Sequence, residues 1–210
     1  MLDTTATFTA FLSFAFVASI TPGPNNLMVL ASGAAFGWRR TIPHIAGIAG
    51  GFAIMIGAVV LGLGALLEQY PQVFSVIKYA GAAWFFWLAW QLARPALRPR
   101  PAGAGETDPE PEGRPMKLSE AALFQWVNPK AWTMAIAASA AFSGLSSDPL
   151  GRMAIMSLTF LAVAPICNTI WMLAGTGLRA VMLDGSRARL ISLVMAGLVV
   201  FSAISVLLSA

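Results

Sequence analysis

The sequence predicts an all-α membrane protein, a six-transmembrane-helix bundle built as two inverted three-helix halves. Three observations predict it. Of the 210 residues 58% are hydrophobic and only 10% are charged, far below the roughly 25% charged residues of ordinary soluble domains. Apolar stretches near the ~20 residues needed to cross a bilayer recur along almost the whole chain. The basic residues gather in alternate connections between those stretches, the pattern that orients a membrane protein. The formal charge of +4 is therefore read as membrane orientation, and no nucleic-acid partner is expected.

The spans fall at about residues 6–29, 42–66, 72–92, 125–144, 152–175 and 189–209. The first follows Asp3 without the basic flank or cleavage site of a secretory signal, so it is expected to be retained. The fourth opens on Asn128, Pro129 and Lys130 before the apolar run from Ala131 to Phe142, and a five-span alternative leaves it at the membrane interface. All of 1–210 forms a single integral membrane domain, with residues 1–92 as the first half and 118–210 as the second. Between them, 93–117 carries Pro95, Pro99, Pro101, Pro109, Pro111 and Pro115 among Glu106, Asp108, Glu110 and Glu112. That composition predicts a flexible polar linker.

Orientation follows from charge. Connections one, three and five hold Arg39 and Arg40, then Arg94, Arg98, Arg100, Arg114 and Lys117, then Arg179, Arg187 and Arg189, ten of the 13 Lys and Arg residues. The linker is accordingly cytoplasmic and both termini are outside. Lys78 and Arg152 fall near the opposite surface. Three spans per half give the halves opposite orientations, the arrangement that alternating access uses, although no close sequence repeat relates them.

Small and aromatic residues read first as packing. Gly33 with Gly37, Gly47 with Gly51, and Gly175 with Gly177 bring helices or their ends together. Trp84, Trp87 and Trp90 read as core and interfacial anchors. Cys167 stands alone in an apolar segment, with no cysteine for a disulfide or a metal site. No cofactor, metal or catalytic residue is expected: His44 has no nucleophile and acid around it, and the chain lacks a His-Glu-x-x-His run.

Two interruptions carry the chemistry. Thr21-Pro22-Gly23-Pro24-Asn25-Asn26 lies inside the first apolar span, where two prolines remove amide donors and loosen the helix ladder. Free carbonyls and the Asn25 and Asn26 amides can bind polar groups there, or merely repair the break. The second interruption is Gln125-Trp126-Val127-Asn128-Pro129-Lys130-Ala131. Asn128 suits a helix cap and Pro129 a first turn, but Lys130 near a helix N-terminus opposes the dipole. It needs to snorkel to the headgroups, to bond internally or to meet a carboxylate. Pro165 and Asn168 in span five form another kink with a polar contact, and His44 at the start of span two is a candidate for proton coupling. The centres of the six spans hold no Asp or Glu. Asn25, Asn26, Asn128, Lys130 and Asn168 are thus the substrate-binding candidates. Pro22, Gly23, Pro24, Pro129 and Pro165 are the conformational ones.

The chain resembles the LysE/RhtB-type amino-acid exporter superfamily over nearly its full length, in its six apolar spans, in Thr-Pro-Gly-Pro-Asn at 21–25 and in Val-Asn-Pro-Lys-Ala at 127–131. The resemblance implies a dimeric exporter in the bacterial cytoplasmic membrane, moving a small amino acid or polar metabolite against a proton or sodium counter-ion. A small-solute channel, or an exporter of another metabolite, is the alternative.

Overall fold

The computed structural model describes residues 4–97, 114–181 and 185–208, so most of the expected linker lies outside the described residues. Helix α1 (Thr4–Ile20) and helix α2 (Pro24–Phe36) divide the first apolar run and meet at a bend of 54°. The break has a simple cause. Pro22 and Pro24 lack the amides that would bond the carbonyls of Ala18 and Ile20, and Pro24 restarts the helix at a first turn, where no amide is needed. The expected single span over 6–29 is therefore a bent pair that runs on to Phe36.

Helix α3 (Trp38–Ala58) follows after Gly37, which takes up the turn with φ of 78°. It continues through a wider turn at Val59–Leu63 into helix α4 (Gly64–Gln69), with Gly62 at φ 123° accommodating the kink. Helix α5 spans Pro71–Leu97. After the linker come the short helix α6 (Leu118–Phe124), a 3-10 turn at Gln125–Val127, and helix α7 (Pro129–Ala141). The fourth element thus begins earlier than its apolar run and is broken like the first. Helices α8 (Pro149–Val181) and α9 (Gly185–Leu208) complete the chain.

Among the described residues all regular structure is helical, and three stretches are long and apolar enough to cross a membrane: Trp38–Leu67, Gln72–Arg94 and Pro149–Leu178. The bent pair α1/α2 makes a fourth if counted as one span, and Arg189–Ser205 is a shorter apolar helix. Large apolar side chains cover the outside of the bundle, with Val17, Ile54, Leu158 and Phe201 each more than 60% exposed. Such continuous apolar cover suits lipid and not water. Trp84 and Trp87 pair at 5.1 Å between ring centroids and, with Trp90, are exposed. They are surface anchors and not core.

Glycines set the closest crossings. A side chain at Gly33 would run into the backbone of Met172, and one at Gly175 into the Leu30 carbonyl, so α2 and α8 touch backbone to backbone. Gly47 meets the Leu118 carbonyl, and a Cβ at Gly51 would lie 2.6 Å from Ala122 Cα, which docks α6 on α3. Gly177 faces open space and has no such role. Helix α5 packs along α9, and α3 along α8. One end of the interior is filled by Phe11, Phe52 and Phe160, whose rings meet edge to face at 4.8–5.7 Å.

The start of α6 is fixed by Glu120. It accepts from the Lys117 amide at 2.9 Å and from both terminal nitrogens of Arg114, at 2.6 and 2.7 Å. The Arg114 bonds, and then the Lys117 amide, hold its carboxyl down at about 2.

Candidate functional site: a cleft where two broken helices meet

The end of α1 leaves a fringe of carbonyls without helical partners, and buried backbone groups must find donors elsewhere. They find them in three other elements. Asn26 Nδ2 donates to Ser19 O and Thr21 O, both at 2.9 Å. Trp171 Nε1 donates to Ile20 O at 3.0 Å. Lys130 Nζ donates to Thr21 O at 2.7 Å and Pro22 O at 3.3 Å. Thr21 turns its own hydroxyl back to Val17 O.

These contacts resolve the apparent misplacement of Lys130. The residue stands at the N-terminus of α7, but its ammonium lies at the C-terminus of α1, where a cation is favourable. It turns inward to the first break instead of reaching for the headgroups. Gly23 makes this possible. Its backbone is extended (φ −172°), a conformation open to any residue, but a Cβ there would lie 2.7 Å from Lys130 Cδ and 2.9 Å from Nζ. Glycine at 23 is thus explained by the passage of the lysine stem.

A second bridge joins the breaks. Asn25 Nδ2 donates to Gln125 Oε1 at 2.8 Å, and Gln125 Nε2 returns a longer bond to Asn25 Oδ1 at 3.3 Å while donating to Ala121 O at 2.9 Å. Gln125 is fully buried. Asn128 caps α7, accepting from the Lys130 amide at 3.1 Å, with Pro129 in the first turn. Pro129 also packs beside Gly81 of α5. From α8, Asn168 Nδ2 donates to Asn26 Oδ1 at 2.7 Å. Pro165 sits within α8, which continues through it.

The five candidate polar residues, Asn25, Asn26, Asn128, Lys130 and Asn168, line one cleft together with Ser19, Gly23, Ile48, Phe52 and Met134. Its empty space, open mouth included, is about 420 Å³. The polar side chains are neutral amides, the Ser19 hydroxyl and one ammonium, so the cleft suits a small polar solute bearing a carboxylate. His44 is not among the lining residues; it is buried on α3, and neither ring nitrogen has a partner among the described residues.

Two residues here escape a reading of the sequence. Gln125 was visible only as the flank of a helix start, and Trp171 only as one more apolar aromatic. Nothing local marks their partners, which lie 100 and 151 residues away.

Comparison with known proteins adds a family. The model described as LysE type translocator matches residues 16–210. The cysteine/O-acetylserine efflux protein of Klebsiella pneumoniae is 32% identical over 167 residues, covering 79% of this chain and 80% of its own. Proteins of the same name from Salmonella typhi and Escherichia coli K12 are 28% and 27% identical, with the same coverage. No solved structure matches the chain.

Proposed function

The chain belongs to the LysE type translocator family, and on that premise we propose that it exports a small amino acid or close derivative by alternating access through the cleft between its two broken helices. The observation that carries the proposal is the direct bonding of the two breaks, Asn25 to Gln125 and Lys130 to the Thr21 and Pro22 carbonyls. Irregular backbone at membrane depth is tolerated only where it is packed in protein or lines a cavity, and discontinuous helices that face each other form the substrate sites of many transporters. Cysteine and O-acetylserine, the compounds named for the relatives, are amino acids of suitable size.

The inverted six-span arrangement is part of the same reading. Each half runs as a broken helix, a long helix and a final helix, and the long helices α3 and α8 pack together, as do α5 and α9. Arg189 Nε donates to Ala96 O at 2.8 Å, tying the start of α9 to the end of α5. Contacts of Gly47 with Leu118 and of Gly51 with Ala122 run α3 and α6 in the same direction from their basic starts. Both termini are then outside and the 93–117 connection is cytoplasmic. Cysteines introduced into that connection should react with a membrane-impermeant maleimide only from the cytoplasmic face; labelling from outside would reverse the topology. Phe52 belongs both to the cleft lining and, through Phe160, to the phenyl cluster with Phe11.

The transport test uses proteoliposomes loaded with a mixed pool of labelled amino acids, with and without imposed proton and sodium gradients. Selective, saturable efflux of one small amino acid, faster under one of the gradients, is expected. Correctly inserted protein that releases no amino acid under any gradient would overturn the assignment.

A further inference from the structure

We infer that the cleft binds its substrate in one orientation, with Asn168 Oδ1 receiving the α-ammonium group and Lys130 the carboxylate, so that a free α-amino group is required for export. This rests on the export reading above and adds to it the polarity of the site.

The inference follows from a hydrogen-bond chain whose direction is fixed at its start. Ser19 O and Thr21 O are carbonyls and only accept, so the Asn26 group facing them is its amide nitrogen, at 2.9 Å from each. Both hydrogens of Asn26 Nδ2 are thereby used, and its oxygen faces α8. Asn168 must then present its own nitrogen to that oxygen, as it does at 2.7 Å. Flipping either amide would set oxygen against oxygen or nitrogen against nitrogen, so the backbone at the α1 break dictates which end of Asn168 is left over. That end is Oδ1. Asn168 is only 3% exposed, lines the cleft, and its Oδ1 has no hydrogen-bond partner among the described residues.

A buried acceptor without a donor is uncommon and costly in a folded protein. Oδ1 itself has no solvent contact in this structure, so this lone acceptor in the wall of a polar cleft calls for a donor that the substrate brings as the cleft opens. In the same cleft, Lys130 Nζ has three hydrogens and two carbonyl partners, which leaves one donor and the positive charge for an anion. An acceptor and a cationic donor in one small cleft match the ammonium and carboxylate of an α-amino acid. They do not match an N-acylated acid, which keeps the carboxylate but replaces the ammonium by an amide that is neutral and bulkier. The side chain of the substrate is left to apolar neighbours such as Ile48, Phe52 and Met134, which suits a short uncharged group.

O-acetylserine and N-acetylserine test this directly, because they are isomers that differ in whether the α-nitrogen is free. Efflux of each is followed from proteoliposomes holding the full chain, at a pH near 6. There the α-amino group lies well below its pKa and is charged, and acyl migration to nitrogen, which needs the neutral amine, is slow. The intact protein should prefer O-acetylserine by at least tenfold in kcat/KM. In Asn168→Leu, which keeps the branched side-chain shape and removes both the acceptor and the donor to Asn26, that preference should collapse to within about threefold, mainly through a higher KM for O-acetylserine. In Asn168→Asp the carboxyl, protonated in place, can donate to Asn26 Oδ1 and keep its other oxygen as the acceptor, and the preference should recover. A loss in Asn168→Leu that is equal for the two isomers would make Asn168 a structural residue and overturn the inference while leaving the export reading intact. Equal transport of both isomers by the intact protein would overturn it as well. Absence of carrier-dependent efflux of O-acetylserine would also overturn the inference, whereas the export reading falls only if no amino acid of the mixed pool is released.

Discussion

Lys130→Met is expected to lower export about 100-fold while the protein still inserts and folds. The ammonium makes two charge-assisted bonds to the end of α1 and supplies the cleft with its cation. Bonds to charged groups contribute about 1.5–3 kcal/mol each, and a 100-fold loss corresponds to about 2.7 kcal/mol. The fold survives because Asn26 still donates to Thr21 O at 2.9 Å and Pro22 O gives up only its longer bond of 3.3 Å. Lys130→Arg should recover less than a tenth of the lost activity, since the lysine stem lies against Gly23 and a planar fork is too broad for that passage. Gly23→Ala should act on the same interaction. Its new Cβ would lie 2.7 Å from Lys130 Cδ, and the flexible stem would swing aside, taking the ammonium away from the break. The double variant should therefore be no worse than Lys130→Met alone, as expected of two changes to one interaction. Efflux rates normalised to membrane abundance provide the measurement. Unchanged export in Lys130→Met, or additive losses in the double variant, would remove lysine from the site.

What could be read in the sequence is what short-range chemistry decides. Asn128 and Pro129 announce a helix start because a cap and a first-turn proline act within three residues, and the structure has both. The two prolines of the first interruption likewise mark a break, since the missing amides are local. Hydropathy could not show the bend, because an apolar run keeps its character on both sides of a 54° turn. Lys130 was puzzling for a related reason. Judged against its own helix it opposes the dipole, and its favourable partner is the end of another helix, 109 residues earlier. Gln125 and Trp171 were opaque in the same way. The glycines lie between these cases: Gly33, Gly47, Gly51 and Gly175 were legible as packing residues, but not which backbone each would touch. Gly177 shows the limit of the pattern, having the right residue and spacing on a face that meets nothing. The transport family was legible through its two motifs, and the family match over residues 16–210 agrees. The polarity of the cleft needed coordinates, because it depends on which atom of an amide is already engaged.

Gly175→Leu is expected to prevent the protein from accumulating in a folded form. The Cβ alone would overlap the Leu30 carbonyl, a backbone atom of a neighbouring helix that cannot rotate away as a side chain would. Overpacking of a dense interior typically costs 1–3 kcal/mol, and more where backbone must move; here about 3 kcal/mol or more is expected. Even Gly175→Ala should destabilise, because the overlap begins at the first carbon. Gly177→Leu is the matched control. It lies two residues further along the same helix and faces open space, and leucine favours helix over glycine by somewhat under 1 kcal/mol, so its stability should equal or slightly exceed that of the parent. Folded yield by size exclusion in detergent, together with the midpoint of thermal unfolding, separates the variants. Equal midpoints for Gly175→Leu and Gly177→Leu would show that the α2/α8 crossing is looser than the structure has it. That crossing also governs the site: Gly33 and Gly175 hold the two helices at backbone contact, and only at that separation can Asn168 reach Asn26 at 2.7 Å. A variant that pushes α8 outward without unfolding the protein should therefore lose discrimination between a free and an acylated α-amino group before it loses transport altogether.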